Sequence, residues 1–212
     1  MTPPESPPPQ SVDEMRRALA AAFDDAADHH RDGRFPEAIK LYQQVLKRDP
    51  RHASSWINMG VALRAAGQVD AAAASLLRGV ALKPDDAGAR SNLGNALRAA
   101  GRFDEAAAHH TAAVGMAPDD GAFEYNLGLV RRDLGELGAA LTCFKNAETK
   151  GYEKPDLHWD RALTRLLDGD MARGMADYEW RWKIADAKPR GFTEPVWNGA
   201  TLESGALLVY AE

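Results

Sequence analysis

The chain has 212 residues, 45% of them hydrophobic and 27% charged, with a net charge of −5 at neutral pH. That balance suits a soluble fold of one or two domains and gives no general attraction to nucleic acid or to an anionic membrane. Cys143 is the lone cysteine, which excludes a disulfide framework and a Cys-rich zinc site. No apolar run approaches the ~20 residues of a membrane span. The opening MTPPESPPPQ has neither the basic start nor the apolar centre of a secretion signal, so the expected location is the cytoplasm.

In chain order, residues 1–12 are expected to be a Pro-rich tail, with five prolines in the first ten residues and no apolar pattern. Ser11 and Glu14 have capping-box spacing, which predicts a helix running to about Arg31. From there the punctuation recurs. Gly33, Gly67, Gly101, Gly135 and Gly169 are each 34 residues apart. Ala38, Ala72, Ala106 and Ala140 keep the same step, as do Pro50, Pro84 and Pro118. Each period reads as two short amphipathic helices, A and B, with a Gly turn between them.

A 34-residue period with a small residue early, Ala in the middle and Pro at the end resembles the tetratricopeptide-repeat family. The likeness covers roughly residues 19–184. It implies an all-α solenoid of about five helix pairs over residues 13–184, stable through stacking of neighbours. Repeats are expected to begin near Leu19, Ala53, Ala87 and Gly121. Gly60, Gly94 and Gly128 should let helix A approach helix B, beside Met59, Leu93 and Leu127 in the adjoining apolar site. Arg90 and Glu124 replace the bulky residue that Trp56 supplies, and His110 replaces the family's Phe; these are expected to be tolerated, partly exposed packing sites. The pairs His29–His30 and His109–His110 are not expected to bind metal, because adjacent helical residues point about 100° apart.

In such arrays the A helices line a concave groove. Asn58, Asn92 and Asn126 recur 34 apart, with Asn95 close to Asn92, and they resemble the asparagine ladder of O-linked N-acetylglucosamine transferase. An amide offers donors and acceptors to a peptide backbone, at about 0.5–1.5 kcal/mol per bond. The alternative is that these residues bond neighbouring helices or water. Arg64, Arg98 and Arg132 form a second ladder, which would edge the groove with positive charge beside Tyr125. The alternative there is a solvated helix end. A carboxylate clamp like that of chaperone-binding arrays needs a Lys before the ladder Asn, where this chain has Ile57, Ser91 and Tyr125.

The fifth unit changes character, because Tyr178, Trp180 and Trp182 load its second helix with aromatics. Ala206 to Tyr210 is the one convincing strand. The string from Gly169 through YEWRW, Pro195, Trp197, Gly199, Leu202 and Ala211–Glu212 looks like the junction between a tetratricopeptide array and a two-lobed glycosyltransferase, similar to the heptosyltransferases. Flagellin-modifying glycosyltransferases belong to this group. The resemblance implies that residues 185–212 are a linker and the first strand of an α/β domain, docked through Tyr178, Trp180, Trp182 and Trp197. It also implies a catalytic half, with its nucleotide sugar, beyond this chain. No cofactor, metal or catalytic residue is then expected within the 212 residues. The expected role is recognition of a protein or extended peptide, with a general interaction scaffold as the alternative. A monomer is favoured, and pairing through the tail is the other outcome.

Overall fold

The computed structural model describes residues 11–183. Among these the chain forms ten α-helices and a closing 3-10 helix: α1 Val12–Arg31, α2 Phe35–Arg48, α3 Ala53–Ala65, α4 Val69–Leu82, α5 Ala87–Ala99, α6 Phe103–Met116, α7 Gly121–Asp133, α8 Leu137–Thr149, α9 Pro155–Leu167, α10 Met171–Tyr178, then Glu179–Lys183. Odd-numbered helices are the A helices and even-numbered ones the B helices. α3, α5 and α7 start at Ala53, Ala87 and Gly121, where the period places them. The expected strand at 206–210 and the segment 185–212 lie outside the described residues.

Local chemistry sets the boundaries. Ser11 Oγ accepts from the Glu14 amide at 3.2 Å while Glu14 accepts from the Ser11 amide at 2.8 Å, a closed capping box. Asp86 and Asp120 cap α5 and α7 through the amides of Ala89 and Ala122. Pro36 sits in the first turn of α2, where a missing N–H costs nothing. The five in-phase glycines end the A helices with φ between 74° and 86°, a left-handed conformation that side chains with a Cβ resist.

Packing follows the small residues. A Cβ on Gly60 would come within 2.5 Å of Leu76, one on Gly94 within 2.6 Å of His110, and one on Gly128 within 2.6 Å of Phe144. Ala38, Ala72, Ala106 and Ala140 are fully buried, with Met59, Leu93 and Leu127 alongside. Burying one such Leu contributes about 2–3 kcal/mol. Successive A helices touch one another along the array, whereas successive B helices do not. The A helices therefore form the inner side of the curve.

Two of the three substituted packing sites, Glu124 and His110, differ from expectation. Arg90 is half-buried and does what Trp56 does: its Nε donates to the Pro84 carbonyl at 3.0 Å, as the Trp56 indole donates to Pro50 at 2.9 Å. Glu124 and His110, expected to be partly exposed, are buried. Glu124 is held by Lys150 at 2.6 Å, because a buried carboxylate needs a partner. His110 fills the Phe site as a neutral ring, its pKa pushed down to about 4 by burial and then by the charges of Arg98 and His109. Its Nδ1 lies 3.5 Å from Ser91 Oγ, and its Nε2 has no partner.

The fifth pair also departs. α10 has only eight residues, so Trp180 and Trp182 belong to the 3-10 turn rather than to helix B. Arg161 stands 34 residues after Leu127, in the apolar site, and is matched there by Glu148 at 2.7 Å and Asp177 at 2.8 Å. Arg165 also reaches Asp177. Burial opposes the charge on Arg161, yet its pKa is raised because the two carboxylates more than offset it.

Candidate functional site

The inner surface is built by the A helices, since these alone meet along the array. The ladder positions share one column, but their side chains have different commitments. Asn126 on α7 donates to Ser91 Oγ on α5 at 3.1 Å. Arg98 on α5 bonds Asp133 on α7 at 2.5 Å. Arg132 bonds Asp160 on α9 at 2.6 Å, and the Tyr125 hydroxyl donates to the other oxygen of Asp160 at 2.6 Å. Tyr125 also stacks on Tyr152 with ring centres 4.8 Å apart. Burial first and Asp160 second raise its hydroxyl far above the ordinary range. From α5 to α9, then, the column is stitched by side chains crossing between A helices.

The N-terminal half of the surface is different. Arg64 is exposed, and Asn92 and Asn95 are half-buried; none of the three has a side-chain partner among the described residues. Asn58 is half-buried beside the Tyr42 hydroxyl, whose pKa burial raises and Asn58 partly lowers. The Arg ladder is therefore split. Arg98 and Arg132, at 30% and 16% side-chain exposure, are neutralised by acids and are not solvated helix ends, whereas Arg64 keeps an open charge.

Sequence reading missed the acids that do this. Asp160 stands 34 residues after Asn126, and Asp24 stands 34 before Asn58, so the column reads Asp24, Asn58, Asn92, Asn126, Asp160. The period held the signal, but reading only its asparagines hid the two ends. Asp133, adjacent to Arg132 in sequence, bonds Arg98 from the previous repeat, a pairing only stacking creates.

Of the residues assigned to docking a C-terminal domain, Tyr178 packs on Trp159 at 4.9 Å with the Arg181 guanidinium 4.6 Å above its ring. Trp180 stacks on His158 at 3.8 Å, with Lys183 Nζ 3.7 Å over its ring. The side chain of Trp182 and all of Trp197 lie outside the described residues. No group of three or more His, Cys, Asp or Glu able to hold a metal is found among the described residues. No described helix is long and apolar enough to cross a membrane.

A tetratricopeptide-repeat family profile matches residues 23–87, 58–121, 91–145 and 125–188. The chain belongs to the tetratricopeptide-repeat family. Its repeats superpose on solved structures at low identity, a likeness of fold. MamA residues 41 to the end from Desulfovibrio magneticus RS-1 matches with a TM-score of 0.69 and 19% identity, over 76% of this chain and 91% of that one. PilF from Pseudomonas aeruginosa matches with 0.68 and 18%, over 78% and 75%. YrrB, described as a tetratricopeptide-repeat protein with an unusual peptide-binding site, matches with 0.62 and 15%, over 77% and 84%. No curated protein matches the tetratricopeptide array or the rest of the sequence.

Proposed function

We propose that the array is a recognition module that holds an extended segment of a partner protein against the inner face of α3 and α5. The observation that carries this is the open set Asn92, Asn95 and Arg64, on a surface whose other half is tied to itself. Asn58 completes the contact column. Two or three amide contacts at about 0.5–1.5 kcal/mol each give direction and register. Arg64 favours a carboxylate on the bound segment, because it is the ladder cation with no acid beside it. The peptide-binding site named for YrrB lends the reading support on the same fold.

The activity served is protein glycosylation, with a flagellin as the acceptor to try first. The support is the resemblance of the string from Gly169 to Glu212 to a glycosyltransferase junction. The array would select the acceptor, and a catalytic half would carry the nucleotide sugar. Cross-linking in an extract of the source cells, followed by mass spectrometry, identifies the bound segment; titration of that segment then tests the site. Asn92→Ala with Asn95→Ala should weaken binding about tenfold, as the loss of two hydrogen bonds implies, without moving the thermal midpoint. Unchanged affinity rejects the groove. A partner that is never glycosylated leaves a plain scaffold and rejects the glycosylation reading.

A further inference from the structure

The two ends of the solenoid are finished in opposite ways. On the A helices, Ser55 with Ala62 and Ala89 with Ala96 are buried, while the corresponding Ala21 and Asp28 of α1 are exposed. Among the described residues no repeat precedes α1, so this column is the side that the later A helices turn toward the preceding repeat. Asp24 and Asp25 are exposed there too, and the N-terminal end is a polar cap of the kind repeat arrays require.

On the B helices the matching column is the first residue and the one a turn later. Val69 with Ala73 and Phe103 with Ala107 are buried or half-buried. In α10 the same positions are Met171 and Met175, 61% and 52% exposed, with Leu167 at the end of α9 68% exposed. The face that each earlier B helix closes with the following A helix is bare in the fifth, and it is apolar rather than charged.

We infer that Met171 and Met175 are the seat of this chain's own segment 192–210. The described chain ends at Lys183, just past the C-terminal end of α10. Returning to Met171 means covering a helix of about 12 Å, a span that residues 184–212 exceed several times over. The segment supplies Phe192, Trp197, Leu202, Leu207 and Val209. Tyr178, the other candidate surface, is already engaged by Trp159 and Arg181. A second copy stacked end to end would press the exposed carboxylates of Asp24, Asp25 and Asp28 onto methionine, desolvating Asp24, with no ion-pair partner among the described residues, and the Arg31–Asp28 ion pair along with it. Two copies meeting through this face alone would bury far less than a stable dimer needs.

Methionine footprinting and hydrogen exchange on the full chain test this. With peroxide, Met171 and Met175 should oxidise at least about fivefold more slowly than Met116, which is 41% exposed. In the variant carrying Met171→Glu and Met175→Glu, amides of residues 192–210 should exchange at least about tenfold faster, with α2 to α8 unchanged. Leu at both positions should keep the protection. Oxidation as fast as at Met116, or residues 192–210 unprotected in the parent chain, overturns the inference. So does light scattering that shows a dimer which the Glu variant dissolves, since the occupant would then be a second copy.

Discussion

The hydroxyl of Tyr125 donates to one oxygen of Asp160 at 2.6 Å, while Arg132 holds the other at 2.6 Å. One carboxylate thus fastens α7 to α9 through two donors. Arg132 and Asp160 are 16% and 15% exposed, so removing the acid leaves a poorly solvated guanidinium. Asp160→Ala should cost about 3 kcal/mol, and Tyr125→Phe about 1 kcal/mol. Urea unfolding followed by circular dichroism reads both, and equal losses would mean that Asp160 does not hold Arg132.

His110 makes stability depend on pH. Its folded pKa is about 4 against an ordinary 6.5, so folding favours the neutral ring. The contribution is complete above pH 6.5 and is lost as pH falls toward 4, by about 3 kcal/mol at most. His110→Phe copies the Phe144–Gly128 contact and removes the unpartnered Nε2. The variant should match or exceed the parent at pH 7 and lose less between pH 7 and 5. Parallel thermal midpoints across that range would contradict the assignment.

Two helical glycines should respond to Ala with opposite signs. A Cβ on Gly94 would meet the His110 ring at 2.6 Å, whereas one on Gly115 meets nothing within 4 Å. Gly94→Ala should destabilise by about 1–3 kcal/mol through overpacking. Gly115→Ala should stabilise by up to about 1 kcal/mol, because Ala restricts the unfolded chain. Calorimetry of the pair gives the signs directly.

For binding, Arg64 is the informative cation. Arg98→Glu would set two carboxylates face to face at Asp133, so weaker binding would be mixed with weaker folding. Arg64→Glu leaves the fold untouched and should slow association with an acidic segment, most strongly at low salt. Stopped-flow measurement at two ionic strengths checks this; a rate indifferent to salt in both proteins would show that Arg64 does not face the partner's charge.

Much of the fold was legible because it is local. The in-phase glycines require positive φ, the alanines require close approach, and both requirements recur wherever the period does. The capping box at Ser11 and the starts of α3, α5 and α7 follow from the same short-range chemistry. What the 34-residue step alone could not decide is which polar side chains meet. Asp133 and Arg98 are 35 residues apart, and so are Tyr125 and Asp160. Stacking brings Asp133 beside Arg98 and Asp160 beside Arg132, each from the following repeat, and only then do two of the three arginines in the row become ion pairs. The burial of His110 and Glu124 was likewise a tertiary outcome. His110 meets Gly94 on α5 and Glu124 meets Lys150 at the end of α8, contacts that exist only once the two helices of a repeat have packed.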